Sequence, residues 1–238
     1  MNYKNYPYTL SFPVDFPDEY VETIYKVRSF TLTSQERLFA LIHAVEFLEN
    51  NRIEGDIVEC GVWKGGSMMA VMDTLLRLGK TRNLWLYDTF TGMSAPEEVD
   101  VNFQGMTARK LMSITNRFDE RSVWCVSALD EVKNNLSTIP YPAEKINFIK
   151  GKVEDTIPAN IPQKIALLRL DTDFYSSTKH ELVHLFPLLS ERGIIIIDDY
   201  GHWKGAKKAV DEYFSENNIF IYLHRIDYTG RIGMKITL

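Results

Sequence analysis

The sequence is poor in cysteine, carries no long block of one charge and contains no long apolar stretch. Each absence excludes something. The two cysteines, Cys60 and Cys125, lie far apart and lack metal-type spacing, so they offer neither a zinc site nor a disulfide framework. No apolar run approaches the roughly 20 residues a membrane span requires, and Met1 to Asp18 lacks a basic-then-apolar signal pattern. A soluble cytoplasmic protein with no membrane partner is therefore expected. A net charge of -5 without a basic block argues against a nucleic-acid partner, whose binding rests on phosphate neutralisation. There is no internal repeat, linker or low-complexity tract.

What is present is an apolar, alternating pattern. Hydrophobic residues make up 45% of the 238 positions, enough for the core of one large domain. After an irregular arm, Met1 to Pro17, the spacing predicts helices near Glu19 to Val27 and from Ser34 to Asn50. In the second, Leu38, Leu41, Ile42, Val45 and Leu48 recur at helical intervals. Strands are predicted at Asp56 to Cys60, Asn83 to Tyr87, Lys145 to Ile149, Lys164 to Leu170 and Gly193 to Ile197. Helices are predicted from Ser67 to Leu78, Ala128 to Leu136, after Leu170 through about Leu189, and from Trp203 to Glu216. Ile219 to Leu223 and Ile232 to Leu238 read as a final antiparallel pair. The region from about 90 to 121 mixes glycine, proline and acids and reads as a lid or binding loop. Alternating strands and helices give a doubly wound α/β sheet.

Three acids stand where chemistry is expected. Asp171 ends the run Ile165–Leu170, and Asp198 and Asp199 end Ile194–Ile197. Runs of this kind are buried parallel strands, and open α/β sheets bind ligands beyond the carboxyl ends of their strands. If the two strands are neighbours, three carboxylates converge and resist ionisation. A hard divalent cation relieves that conflict. Around the same rim lie the glycine loop Glu59 to Ser67, Asp88 after the second strand, and Asp155 in Gly151 to Thr156. The loop has neither dinucleotide-binding nor phosphate-loop spacing, so NAD and ATP are not indicated. The three features together suit an adenosine-containing cofactor without a diphosphate. Taken singly, the loop is a tight turn and each acid a cap or solvated charge.

Four segments carry a family resemblance: Glu59-Cys60-Gly61-Val62-Trp63-Lys64-Gly65-Gly66-Ser67, Tyr87-Asp88-Thr89-Phe90-Thr91-Gly92-Met93, Leu168-Arg169-Leu170-Asp171-Thr172-Asp173, and Asp198-Asp199-Tyr200-Gly201-His202. With them the chain resembles the macrocin O-methyltransferase family, S-adenosylmethionine-dependent enzymes that methylate sugar hydroxyls of natural products. Met93 to Ser127 matches less clearly, and substrate identity is expected there.

The resemblance implies a single-domain, Rossmann-like class I methyltransferase fold: a mostly parallel seven-stranded sheet, an antiparallel C-terminal strand and an N-terminal helical extension (1–52) before the catalytic core (53–238). It implies that Glu59, Gly61, Val62, Trp63, Lys64, Gly65, Gly66 and Ser67 hold the methionine end of S-adenosyl-L-methionine. Asp88 binds its ribose, with Thr89 and Phe90 alongside; Asp155 faces adenine, and Asp171 also borders the cofactor. The resemblance also implies that Asp171, Asp198 and Asp199 bind Mg2+ or another hard divalent cation. The 27 positions between Asp171 and Asp198 resemble catechol-type O-methyltransferases, whose third ligand is commonly asparagine. Asp171 is the first candidate base and His202 the second, since a neutral imidazole suits proton transfer near neutral pH. Asp173 reads as a helix cap first and as a support of the metal shell second. A glycosylated small-molecule acceptor and a homodimer are expected by analogy. A catechol or phenol acceptor, a metal-dependent phosphoryl hydrolase and a non-catalytic adenosyl-binding module are the competing readings.

Overall fold

Two apolar strands set the architecture. Every residue of Ile165–Leu170 (β4) is buried, as are Ile194 to Ile197 at the end of Leu189–Ile197 (β5). They pair in parallel, with Leu170 opposite Ile197. The computed structural model describes residues 11–119 and 122–236. Asp56–Cys60 (β1) lies on the other side of β4, followed outward by Leu84–Asp88 (β2) and Ile146–Lys150 (β3), all parallel. Beyond β5 come Arg231–Met234 (β7) and His224–Arg225 (β6), both antiparallel to their neighbours. The order of the seven strands is β3-β2-β1-β4-β5-β7-β6, as expected of a class I methyltransferase sheet. The order reverses between β1 and β4, where such sheets bind ligands.

Helices cover both faces. Asp18–Val27 (α1), Gln35–Asn50 (α2) and Gly66–Arg77 (α3) pack on one, and Leu38, Leu41, Ile42, Val45 and Leu48 of α2 are buried there. Ser34 starts α2 by accepting from Arg37 N at 3.2 Å. Tyr175–Leu185 (α7) and Lys204–Glu216 (α8) close the other face. Ala108–Ile114 (α4), Leu129–Leu136 (α5) and Val153–Thr156 (α6) sit in the connections. Among the described residues no helix is long and apolar enough to cross a membrane.

Several elements differ from the sequence reading. The region 90–121 contains α4 and a tight turn at 102–106, although Glu120 and Arg121 lie outside the described residues. Strand β5 begins at Leu189, because α7 ends at Leu185 and only a 3-10 turn, Phe186–Leu188, separates them. Ile219 to Leu223 is not a strand. Its alternation reflects packing: Ile219, Ile221 and Leu223 lie against the core while Phe220 and Tyr222 face out. The outer ladder forms at His224 and Arg225 instead. β7 ends at Met234, and Thr237 and Leu238 lie outside the described residues, as do residues 1–10 of the N-terminal arm.

The register places the rim. Asp171 N donates to Cys60 O at 2.8 Å, and Asp198 N donates to Leu170 O at 2.9 Å. The residues after β1, β4 and β5 therefore stand side by side. Gly61 makes this possible, with φ +85 and an added Cβ only 2.0 Å from Asp171 O. Gly61→Ala is expected to cost on the order of 3 kcal/mol or more in urea unfolding. Gly79→Ala, at φ +65 with nothing within 4 Å, is expected to cost about 1 kcal/mol. Equal costs would show that the β1–β4 rim is not closely apposed.

Candidate active site

The site is built around Arg169, a charged residue in the middle of a buried strand. It is 1% exposed and sits opposite Glu59 in the β1–β4 register. Its Nη1 donates to Glu59 Oε1 and to Asp171 Oδ2, both at 2.6 Å. Its Nη2 donates to Asp198 Oδ1 at 2.5 Å and to Thr33 Oγ1 at 3.0 Å. Burial opposes the charge, but Asp171, Asp198 and Glu59 outweigh it and hold the guanidinium well above its usual pKa. Arg37, from α2, adds a second guanidinium, paired with the other oxygen of Asp198 and with Asp227.

Two arginines do not neutralise five acids. Glu59, Asp171, Asp173, Asp198 and Asp199 crowd the same end of the sheet. Burial pushes Glu59 up to about 7 despite Arg169. Burial and the charge of neighbouring acids push Asp171 and Asp199 well above the usual carboxylate range. Asp173 is pushed up to about 7 for the same reasons. One carboxylate oxygen from each of Asp171, Asp173 and Asp199 lies within 4.8 Å of the others. Asp199 Oδ2 is buried and has no hydrogen-bond partner among the described residues. The expected trio contained Asp198. Its carboxylate is instead held by both arginines, and as the side chains stand Asp173 completes the group. Asp173 is no cap either: Phe174 holds the N-cap position of α7, which has no side-chain cap hydrogen bond.

A cavity of about 500 Å³ runs from these acids to the glycine loop. Asp88 shapes the loop by accepting from Val62 N at 2.7 Å, Trp63 N at 3.0 Å and Phe90 N at 2.7 Å. Gly61, Val62, Trp63, Ser67, Asp88 and Thr89 line the cavity. Trp63 Nε1 is a buried donor with no partner among the described residues. His202 lines the acidic end, its Nδ1 3.1 Å from the Tyr228 hydroxyl. Burial and Arg37 lower its pKa, which favours the neutral ring.

Other expected cofactor residues lie outside the cavity. Glu59 faces Arg169 beneath it. Gly65, at φ +90, opens α3 against Leu136, and Gly66 packs on the Phe30 backbone. The Lys64 carbonyl accepts from Asn135, and Phe90 is buried near Phe148. Asp155 is exposed, because α6 turns its neighbour Glu154 into the cavity.

Comparison with known proteins now decides the family. The macrocin-O-methyltransferase family model matches residues 25–233. The chain belongs to that family. It is therefore an O-methyltransferase. It is 34% identical over 202 residues to demethyldecarbamoylnovobiocin O-methyltransferase of Streptomyces niveus, covering 84% of this chain and 73% of that one. It is 30% identical over 207 residues to mycinamicin III 3''-O-methyltransferase of Micromonospora griseorubida, covering 87% and 78%. The solved O-methyltransferase NovP superposes with a TM-score of 0.75 at 30% identity, covering 87% and 83%. The calicheamicin methyltransferase CalS11, at 17% identity and a TM-score of 0.57 over 94% and 95%, shares the fold.

In this family member, Arg37, Thr33 and Glu154 are site residues the sequence reading missed, and of the two readings of Asp173 the geometry favours the one beside the metal shell. Arg169 had a signal: an arginine between leucines in an apolar run needs buried partners. Arg37 had none, lying 161 positions from Asp198.

The raised acids make metal-free stability pH-dependent. A group whose pKa rises on folding stabilises fully below its unfolded value, near 4, and that contribution is lost as pH rises through the folded value, about 7 for Asp173. Melting temperature in EDTA should fall from pH 5 to pH 8, and Asp173→Asn should fall less steeply. Parallel slopes in the two proteins would contradict this.

Proposed function

We propose that this O-methyltransferase transfers the methyl group of S-adenosylmethionine to a hydroxyl of a sugar or polyol moiety of a natural product or glycan, with the help of a divalent cation, Mg2+ in the first instance. The observation that carries the metal reading is the unpartnered buried oxygen of Asp199 beside Asp171 and Asp173. Oxygen-only ligands suit a hard cation. Asp171 and Asp199 would hold it. The third oxygen falls to Asp173 as the side chains stand, or to Asp198 if Arg37 withdraws. The relatives named above are O-methyltransferases of demethyldecarbamoylnovobiocin and of mycinamicin III, and a third, 32% identical over 201 residues, is one of a dimethoxyrhamnosyl tetracenomycin, which supports the sugar acceptor.

The cofactor supplies an electrophilic sulfonium methyl, and the cation supplies positive charge that makes a nearby hydroxyl more acidic. The chain's residues do the rest. Asp88 fixes the Val62, Trp63 and Phe90 amides, which leaves about one lone pair, on Oδ1, for a ribose hydroxyl. Trp63 Nε1 is free to donate to a bound ligand, and Glu154 replaces Asp155 on the adenine side. The acceptor proton leaves to the acid cluster. Asp171 remains the first assignment, and His202, whose pKa burial lowers, is the second. Holding the acceptor still beside the donor is worth several kcal/mol. Cys60 and Cys125, both unpaired, suit a reducing compartment such as the cytoplasm.

The test is methyl transfer from labelled S-adenosylmethionine to a panel of glycosides. Chelation should abolish turnover, Mg2+ should restore it, and affinity for S-adenosylhomocysteine by calorimetry should be retained. Asp199→Asn should lower kcat on the order of 100-fold while still binding S-adenosylhomocysteine. Undiminished turnover in EDTA would remove the metal from the mechanism.

A further inference from the structure

At the acidic end three rings stand together on turns built to hold them: His202 and Tyr228 line the cavity wall, and Phe103 lies against both beyond that lining. Phe103 is 56% exposed and Tyr228 51% exposed. Phe103 meets the His202 ring edge-on at 5.4 Å and the Tyr228 ring at 5.6 Å, and His202 and Tyr228 lie 5.9 Å apart. A single exposed ring means nothing, but a cluster at the mouth of a site does.

The supporting turns are pinned by side-chain hydrogen bonds. Buried Asn102 accepts from Gln104 N at 3.1 Å and Met106 N at 2.9 Å, and its backbone bridges Trp203. Buried Asp100 accepts from Glu97 N and Tyr175 N, at 2.7 and 2.9 Å, and fixes the same segment from behind. Tyr228 sits on a turn whose Asp227 accepts from Thr229 N and Gly230 N, at 2.9 and 2.7 Å. That turn lies so close to the rim that a Cβ at Gly201 would be 2.1 Å from Tyr228 O. Buried polar anchors therefore hold two apolar rings in water beside the reacting acids.

Size says what they are for. A cavity of about 500 Å³ is within the range that one drug-sized ligand fills. With an adenosyl cofactor inside, little more than the reacting sugar ring fits, and the rest of the acceptor lies over the rim. We propose that Phe103, His202 and Tyr228 form a platform for a flat aromatic aglycone attached to the reacting sugar. This rests on the sugar-acceptor reading above. Offset or edge-on contact with these rings selects aryl glycosides over small alkyl ones.

The experiment compares 4-methylumbelliferyl and methyl glycosides of the same sugars as acceptors, with Mg2+ and S-adenosylmethionine. Wild type should show kcat/KM on the order of tenfold higher for the aryl member. Phe103→Ala should remove most of that preference by raising KM for the aryl glycoside alone. Tyr228→Phe, which keeps the ring, should retain it. Calorimetry with S-adenosylhomocysteine checks that the variants are folded. If both glycosides are methylated without preference, or if Phe103→Ala leaves the preference intact, the platform is overturned and the sugar-acceptor reading stands. If no glycoside is methylated although S-adenosylhomocysteine binds, the sugar-acceptor reading fails and the platform falls with it.

Discussion

A guanidinium shut inside the sheet, with carboxylates on three sides, governs the arrangement of this site. Arg169 reaches Glu59 on β1, Asp171 after β4 and Asp198 after β5, and so links the ends of three strands. Leaving such a charge buried without partners costs roughly 3–5 kcal/mol. The partners are therefore held as firmly as the arginine is. Arg37 extends the same arrangement to α2, and Thr33 brings the segment before that helix against the cavity. The N-terminal helices are thereby part of the site wall as well as a cover for the sheet.

The consequence is a division of labour among acids that look alike in the sequence. Glu59 and Asp198 face arginines. Asp88 faces backbone amides and shapes the glycine loop. Asp171, Asp173 and Asp199 keep a surplus of negative charge in poorly solvated surroundings. That surplus raises their proton affinity and is the basis for the proposed cation site. His202 and Tyr228 line the same cavity, with Phe103 against them, so the proposed aglycone platform adjoins the acids directly.

The sheet was legible because its signals are local. Ile165–Leu170 and Ile194–Ile197 can only be buried strands, and the acids that end them must share a rim if the strands are neighbours. The detail within the rim was not local. Asp198 points at Arg37, a partner on a distant helix that no motif connects to it. Asp173 sits where a cap is expected, yet φ +68 turns its side chain toward Asp199 instead. Glu154 displaced Asp155 because a helix of four residues has no periodicity from which to read its phase. Ile219 to Leu223 alternates like a strand because one side packs on the core, and alternation reports burial rather than ladder bonding.

The central claim is that the ends of β4 and β5 seat a divalent cation on Asp171 and Asp199. Anomalous scattering from crystals soaked in Mn2+ tests it most directly. The account predicts a peak in contact with carboxylate oxygens of both residues. A well-ordered rim with no peak between them at millimolar Mn2+, or an ion bound elsewhere on the molecule, would contradict it.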